Sequence, residues 1–275
     1  MALNTYAVYR ELIQRGFYDD FVDFAVYMRF ARGMSLYNSG LTYLQRPGAQ
    51  IVYTEYQWYK MGRSISPGKT PIVITVPFGP VEFVYDINDT YGDDYKGITK
   101  ELFGNHTPDS LCDFNLLKLI NALHSLGISY NSTEGFGVNL FGTAELLEKP
   151  ISVEYTKRDG KKYKKYTRYA ITVDNKLKDY EKVCVILHEA GHILCGHIHY
   201  DADPKYIVYT PNRSDDNLDP YVKEYEADEV CRIFCKLLGY EYNPSEHLNQ
   251  YEKKTIVKSS QYFIMTAVHE LMKVW

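Results

Sequence analysis

The chain has 275 residues, with 31 basic against 35 acidic side chains, a net charge of −4 and a hydrophobic content of 45%. That length and composition allow one large domain or two ordinary ones with a sizeable core, and the mild negative balance excludes a protein coated in nucleic-acid phosphates over its whole surface. Five cysteines without framework spacing (Cys112, Cys184, Cys195, Cys231 and Cys235) point to a reducing compartment.

The opening MALNTYAVYRELIQRGFYDDF mixes charges through its apolar positions and lacks the apolar centre of a signal peptide. No stretch approaches the ~20 apolar residues needed to span a bilayer, so a soluble, cytoplasmic protein without membrane contact is expected. Residues 4–45 read as helical: Tyr6, Tyr9, Leu12 and Ile13 recur at helical spacing, Gly16 punctuates, and Phe21, Phe24, Ala25 and Met28 resume the pattern. RPGAQ is a turn, TEYQWYKMGR a short helix and SISPGKT a second turn. PIVITVP is a β-branched strand, FGP turns the chain, and VEFVYDI alternates like its antiparallel partner. The fold class is therefore α+β, with a small first domain over 1–97 and a second over 98–275.

In the second domain LCDFNLLKLINALHSLG is an amphipathic helix closed by Gly127. ISYNSTEGFGVNLFG reads as a hairpin or as a strand with a glycine-rich bend, and a basic turn feeds a strand from Tyr169 to Val173. The run from Lys157 to Arg168 carries seven positive charges against one aspartate, and reads as a solvated hairpin tip or a phosphate or acidic-partner contact. Asp179 is the expected N-cap of the next helix. A long polar loop follows Gly196, then a helix from about Tyr221 to Leu238 ended by Gly239, and a last helix over about 254–273. Cys231 and Cys235 lie four apart on the helix after the loop and read as core packing rather than ligands.

The chemistry concentrates in VILHEAGHILCGH. Residues four apart on a helix share a face, so His188 and His192 can grip one metal ion, and Glu189 can reach a water on it. Val185, Ile186, Ile193 and Leu194 give the helix an apolar flank to bury. By contrast VHELMK begins with His269 and Glu270 but places Lys273 where a second ligand would stand, and reads as surface decoration. A catalytic zinc takes three protein ligands and keeps an open position. A third histidine six residues after His192 would meet Ile198, with His197 and His199 to either side. KEYEADEV offers Glu224 as the ligand, with Asp228 one turn later accepting the N–H of a ligand histidine and Glu226 turned to solvent. Zinc lowers the pKa of its water towards ~7, Glu189 accepts the proton, and the leaving amine receives it. Tyr225 is a candidate oxyanion donor by its nearness in sequence.

HEAGH followed by KEYEADEV resembles the ImmA/IrrE group of metallopeptidases, and the match carries the metal-ligand roles onto His188, His192 and Glu224 and the base onto Glu189. LQRPGAQIVYTEYQWYKMGRSISPGKTPIVITVPFGPVEFVYDINDTYG resembles the region ahead of such peptidases in ArdC-like antirestriction proteins. The first resemblance implies a zincin-like α+β domain with its active-site helix on a small sheet, a Zn2+ cofactor, and a protein or peptide substrate such as a regulatory DNA-binding protein. The second implies single-stranded DNA binding by a mobile-element protein. Trp58, with Tyr56 and Tyr59, would stack bases over a rim of Lys60 and Arg63, or else Trp58 packs the core. Two functions are thus expected to compete: a zinc metallo-endopeptidase, and a DNA-binding antirestriction protein whose metal site is structural or inactive.

Overall fold

Ile72 and Ile74 enter a core while Val73 between them stays half-buried, the two-residue period of a strand covered on one face. They belong to a computed structural model that describes residues 34–76, 81–93, 115–134, 136, 141–198, 213, 217–238 and 260–275. The chain divides into two compact units, Met1–Leu111 and Cys112–Trp275. The expected boundary near Ile98 lies outside the described residues, as do the helical pattern before Met34, the FGP turn, His199 and most of its loop, and Gly239.

The first unit holds α1 (Leu36–Gln45), β1 (Val52–Tyr53), α2 (Glu55–Lys60), β2 (Arg63–Ile65), β3 (Ile72–Ile74), β4 (Glu82–Asp86) and β5 (Thr90–Gly92). β4 pairs antiparallel with β3 and with β1, and β2 pairs with β5. An outer strand leaves backbone groups without a neighbouring strand. On β3 the α1 side chains supply the partners. Gln45 binds the N–H and C=O of Val73 at 2.9 and 2.8 Å, and Asn38 does the same for Thr75 at 3.0 and 2.8 Å. α2 starts on a reciprocal cap between Thr54 and Gln57, which aims Trp58 into the core beside Ile51 and Ile87.

The second unit holds α3 (Leu116–Leu126), β6 (Ile128–Thr133), β7 (Gly142–Thr156), β8 (Lys162–Asp174), α4 (Asp179–Leu194), α5 (Pro220–Leu237) and α6 (Gln261–Val274). Gly127 ends α3 in the left-handed conformation at φ +89°, which hands the chain directly to β6. The sheet order is β6-β8-β7. β6 runs parallel to β8 and is not a hairpin arm. β8 reaches well beyond Tyr169–Val173, because its basic first half pairs with β7 across a tip at residues 157–161. Tyr169, Ile171 and Val173 alternate into the core, each with 1% exposure or less. α3 and α4 cover this sheet, α5 packs on α4, and α6 packs on α5 and α3. The unit is an α+β layer structure, and its α4–α5 crossing carries the residues of interest.

Candidate metal centre

α4 begins at Asp179, with Lys178 rather than Asp179 as N-cap. Glu181 accepts the Lys178 backbone N–H at 2.8 Å, so a first-turn acid does the capping, where the helix dipole also favours it. Val183, Ile186, Leu187, Ala190, Ile193 and Leu194 are buried, which fixes the roll of the helix; Val185 sits at the edge of that face. Gly191 lies close against α5. A Cβ there would meet the Ala227 Cα at 2.9 Å and its carbonyl oxygen at 3.1 Å. The two helices therefore cross nearly backbone to backbone, and Glu224 and Asp228, one turn apart on α5, come level with His188 and His192.

The Nε2 atoms of His188 and His192 lie 3.1 Å apart. Glu224 carboxylate oxygens stand 3.3 Å from the first and 3.6 Å from the second. Ligands at ~2.0–2.2 Å around a tetrahedral ion are separated by roughly 3.3–3.5 Å, a spacing close to that of these three side chains, with the two histidines facing different oxygens of Glu224. The Glu224 side chain is half exposed, leaving that side of the cluster open to solvent. Glu189 flanks the cluster. It accepts the Ala144 backbone N–H from β7, and burial raises its carboxyl pKa against the pull of both histidines. Hydrogen bonds from His188 and His192 hold the Glu224 carboxyl well below the usual carboxylate range. Burial pushes His188 down, but its bonds to Asp228 and Glu224 outweigh that and raise it to about 10.

The remaining nitrogens are also committed. His188 Nδ1 donates to Asp228 Oδ1 at 2.8 Å. His192 Nδ1 lies 2.9 Å from His197 Nδ1, and His197 Nε2 lies 2.9 Å from Glu226 Oε2. A carboxylate only accepts, so His197 carries its proton on Nε2 and its Nδ1 accepts from His192. Burial lowers the His197 pKa to about 4, which keeps it neutral for this role. Glu226 is not solvated, as the sequence suggested: it is fully buried, bridged by both guanidinium nitrogens of Arg213 and by the Ser260 backbone N–H at 2.6 Å. Burial works against its charge, but His197 and Arg213 more than offset this and hold its pKa below the usual range. Cys195, His197 and Glu226 are a second group of ligand-type atoms. The Arg213 cation already neutralises Glu226, so this group reads as a buried support. His197 and Glu226 were missed as supports because 29 residues separate them, and no local spacing relates them.

Other expectations need correction. Trp58 has no exposed surface, and its indole N–H donates to the Tyr85 carbonyl at 2.8 Å, so it cannot stack a base. Arg63 is 7% exposed and its guanidinium is used by Thr90 and Asp93. Lys60 does lie outside, over the Tyr56 ring at 4.4 Å, with Tyr56 and Tyr59 64% and 74% exposed. His269 is buried on α6 at 3% exposure, not a surface decoration. Tyr225 is half-buried, and burial, then Glu229, raise its pKa to about 12. In the basic hairpin Lys165 caps the end of α3 through the Ser125 and Leu126 carbonyls, and Arg168 binds the Leu147 carbonyl, which leaves the tip to Lys157, Arg158, Lys161, Lys162 and Lys164.

Among the described residues no helix is long and apolar enough to cross a membrane. No protein-family model matches the chain, and no curated protein does. Among solved structures, the Mn(II)-bound crystal structure of the antirestriction protein ArdC from the R388 plasmid aligns at 14% identity over 86% of this chain and 84% of that chain, with a TM-score of 0.32. The metal-free structure of the same ArdC protein aligns at 12% identity over 86% and 81%, with a TM-score of 0.34.

Proposed function

We propose that the second domain is a zinc-dependent hydrolase of the ImmA/IrrE type, cutting a peptide bond in a protein substrate such as a DNA-bound regulator. The observation that carries this reading is the separation of the His188, His192 and Glu224 ligand atoms, 3.1, 3.3 and 3.6 Å, with Glu189 beside them. Two imidazoles and one carboxylate suit zinc, and also manganese or iron. An ion held there would supply an acidified water and a polarised carbonyl. Glu189 takes the water proton and returns it to the leaving amine. Its buried setting raises its proton affinity towards the range where it can do both. Asp228 and His197 hold the ligand histidines with Nε2 forward, so the ligands need no reorganisation. A purely structural site would gain nothing from a carboxylate in that position.

The test is Glu189→Gln, with cleavage of a fluorescently labelled unfolded protein followed alongside zinc content. Zinc content should stay at the wild-type level while turnover falls ~10²–10⁴-fold. Turnover at the wild-type rate removes Glu189 as the base, and loss of zinc as well would make it part of the ligand set.

A second reading, an ArdC-like single-stranded DNA-binding role for the first domain over 1–97, is favoured by the exposed Tyr56 and Tyr59 beside Lys60. Fluorescence anisotropy of a labelled oligonucleotide should then show binding that weakens steeply with salt and with Tyr59→Ala. A salt-independent or absent signal ends that reading.

A further inference from the structure

Along the same α4–α5 seam, one turn towards the start of α4, lies a further cluster. Cys184 lies one turn before His188 on α4, and Cys231 and Cys235 lie one turn apart on α5. Their three sulfurs stand within 4.8 Å of one another. Cys231 and Cys235 are buried at 0% and 1% exposure, while Cys184 is partly exposed. The Cys231 and Cys235 sulfurs are 3.9 Å apart. Three sulfurs bound at ~2.3 Å to one ion stand roughly 3.8–4.0 Å from each other. A disulfide, by contrast, needs ~2.05 Å. The Cys231–Cys235 pair is therefore spaced as two ligands of one ion, with the Cys184 sulfur within 4.8 Å of both.

We propose that Cys184, Cys231 and Cys235 form a second cation site, separate from the histidine centre, that takes a thiophilic divalent ion of the zinc class. Thiolate sulfur selects soft and borderline ions over magnesium or calcium. Charge selects the divalent ones. Three thiols release three protons to solvent at the Cys184 edge and form three metal–sulfur bonds, which leaves a single negative charge with a divalent ion and two with a monovalent one. A water at that partly exposed edge completes a tetrahedral shell. The Cys231 thiol donates to the Cys184 carbonyl at 3.3 Å. An ion there ties α4 to α5, the two helices that carry the histidine centre.

The experiment is a titration of the full, reduced chain with cadmium, read by the thiolate-to-cadmium charge-transfer band in the ultraviolet, together with zinc content. Imidazole and carboxylate give no such band, so the result does not depend on the proposed hydrolase site. The wild type should develop the band to an end point of about one ion per chain and hold two zinc ions after loading. Cys184→Ser should lose the band and one zinc, whereas Glu224→Ala should keep the band and lose the other zinc. Thermal melts of the ion-free forms separate loss of site from loss of fold, and Cys235→Ala serves if Cys184→Ser melts early. The proposal is overturned by a reduced wild type that gives no band, by a band undiminished in both cysteine variants, or by a mass spectrum showing two of these cysteines already joined as a disulfide.

Discussion

His192 divides its two ring nitrogens between two neighbours: Nε2 towards Glu224 and Nδ1 towards His197. Remove His197 and the His192 Nδ1–H loses its acceptor, so both the ring orientation and the choice of tautomer loosen. Partners of this kind are worth ~10–100-fold in metal affinity. His197→Ala should weaken zinc binding by that factor in competition with a chromophoric chelator, whereas Asp228→Asn should act on His188 to a similar extent. Nitrogen-15 spectra of the histidines give a second readout, because a lost partner shifts the His192 Nδ1 resonance in the loaded protein and a general loss of packing does not. Unchanged affinity in both variants would mean that helix packing alone orients the ligands. Trp58 illustrates the opposite lesson at the same scale. A lone exposed-looking tryptophan near Lys60 and Arg63 is ambiguous in sequence, and only the Tyr85 carbonyl, 27 positions away, decides that it faces inward. Trp58→Ala should cost the first unit about 3–5 kcal/mol in denaturant unfolding, the usual scale for emptying a core of a large aromatic ring.

The two helices that bring His188, His192 and Glu224 together meet at Gly191 and Ala227, and this crossing sets the spacing of the proposed ligands. Gly191→Ala puts a methyl group 2.9 Å from a backbone atom that cannot swing aside. Overpacking of this sort costs ~1–3 kcal/mol. Here it should also move Glu224 away from the histidines, so zinc affinity should fall along with the melting temperature. A variant that is destabilised yet binds zinc as tightly as wild type would show that Glu224 reaches the site by side-chain flexibility alone. Elements whose pattern is local were legible in the sequence: the strand pair Ile72–Ile74 and Glu82–Asp86, the helix closed by Gly127, and α5, expected from about Tyr221 to Leu238 and found at Pro220–Leu237. Elements whose pattern is long-range were not. The parallel pairing of β6 with β8 joins residues about 40 positions apart, and nothing in ISYNST announces its partner. The length of β7 and β8 was hidden because KKYKKYTR reads as a solvated turn, whereas the tyrosines hold the arms together, Tyr155 stacking on Tyr163 at 5.7 Å between ring centres. For the centre itself, HEAGH and the acidic steps of KEYEADEV were legible because helical spacing is local. The role of Glu226 was not, since its partners come from three separate segments.

The chain has two tryptophans, and one lies in each unit: Trp58 in the first and Trp275 in the second. Trp58 is edge-on to Tyr53 at 5.2 Å, and Trp275 is edge-on to Phe234 of α5 at 5.9 Å, with the Lys118 ammonium over its face at 4.3 Å. Each indole therefore reports on its own core. Both groups of proposed ligands lie wholly within the second unit. A ligand stabilises only the structure that binds it, by ~2.7 kcal/mol when present at 100 times its dissociation constant. Removing the metal with a chelator should thus lower the transition seen through Trp275 by roughly 5–10 °C, while the transition seen through Trp58 stays where it was. The measurement is a pair of fluorescence melts, Trp58→Phe and Trp275→Phe, each with and without chelator. If both transitions fall together, the two units unfold as one cooperative body. If neither moves, no ion contributes to the stability of the folded chain, and the histidine and cysteine clusters must be explained by packing and hydrogen bonding alone.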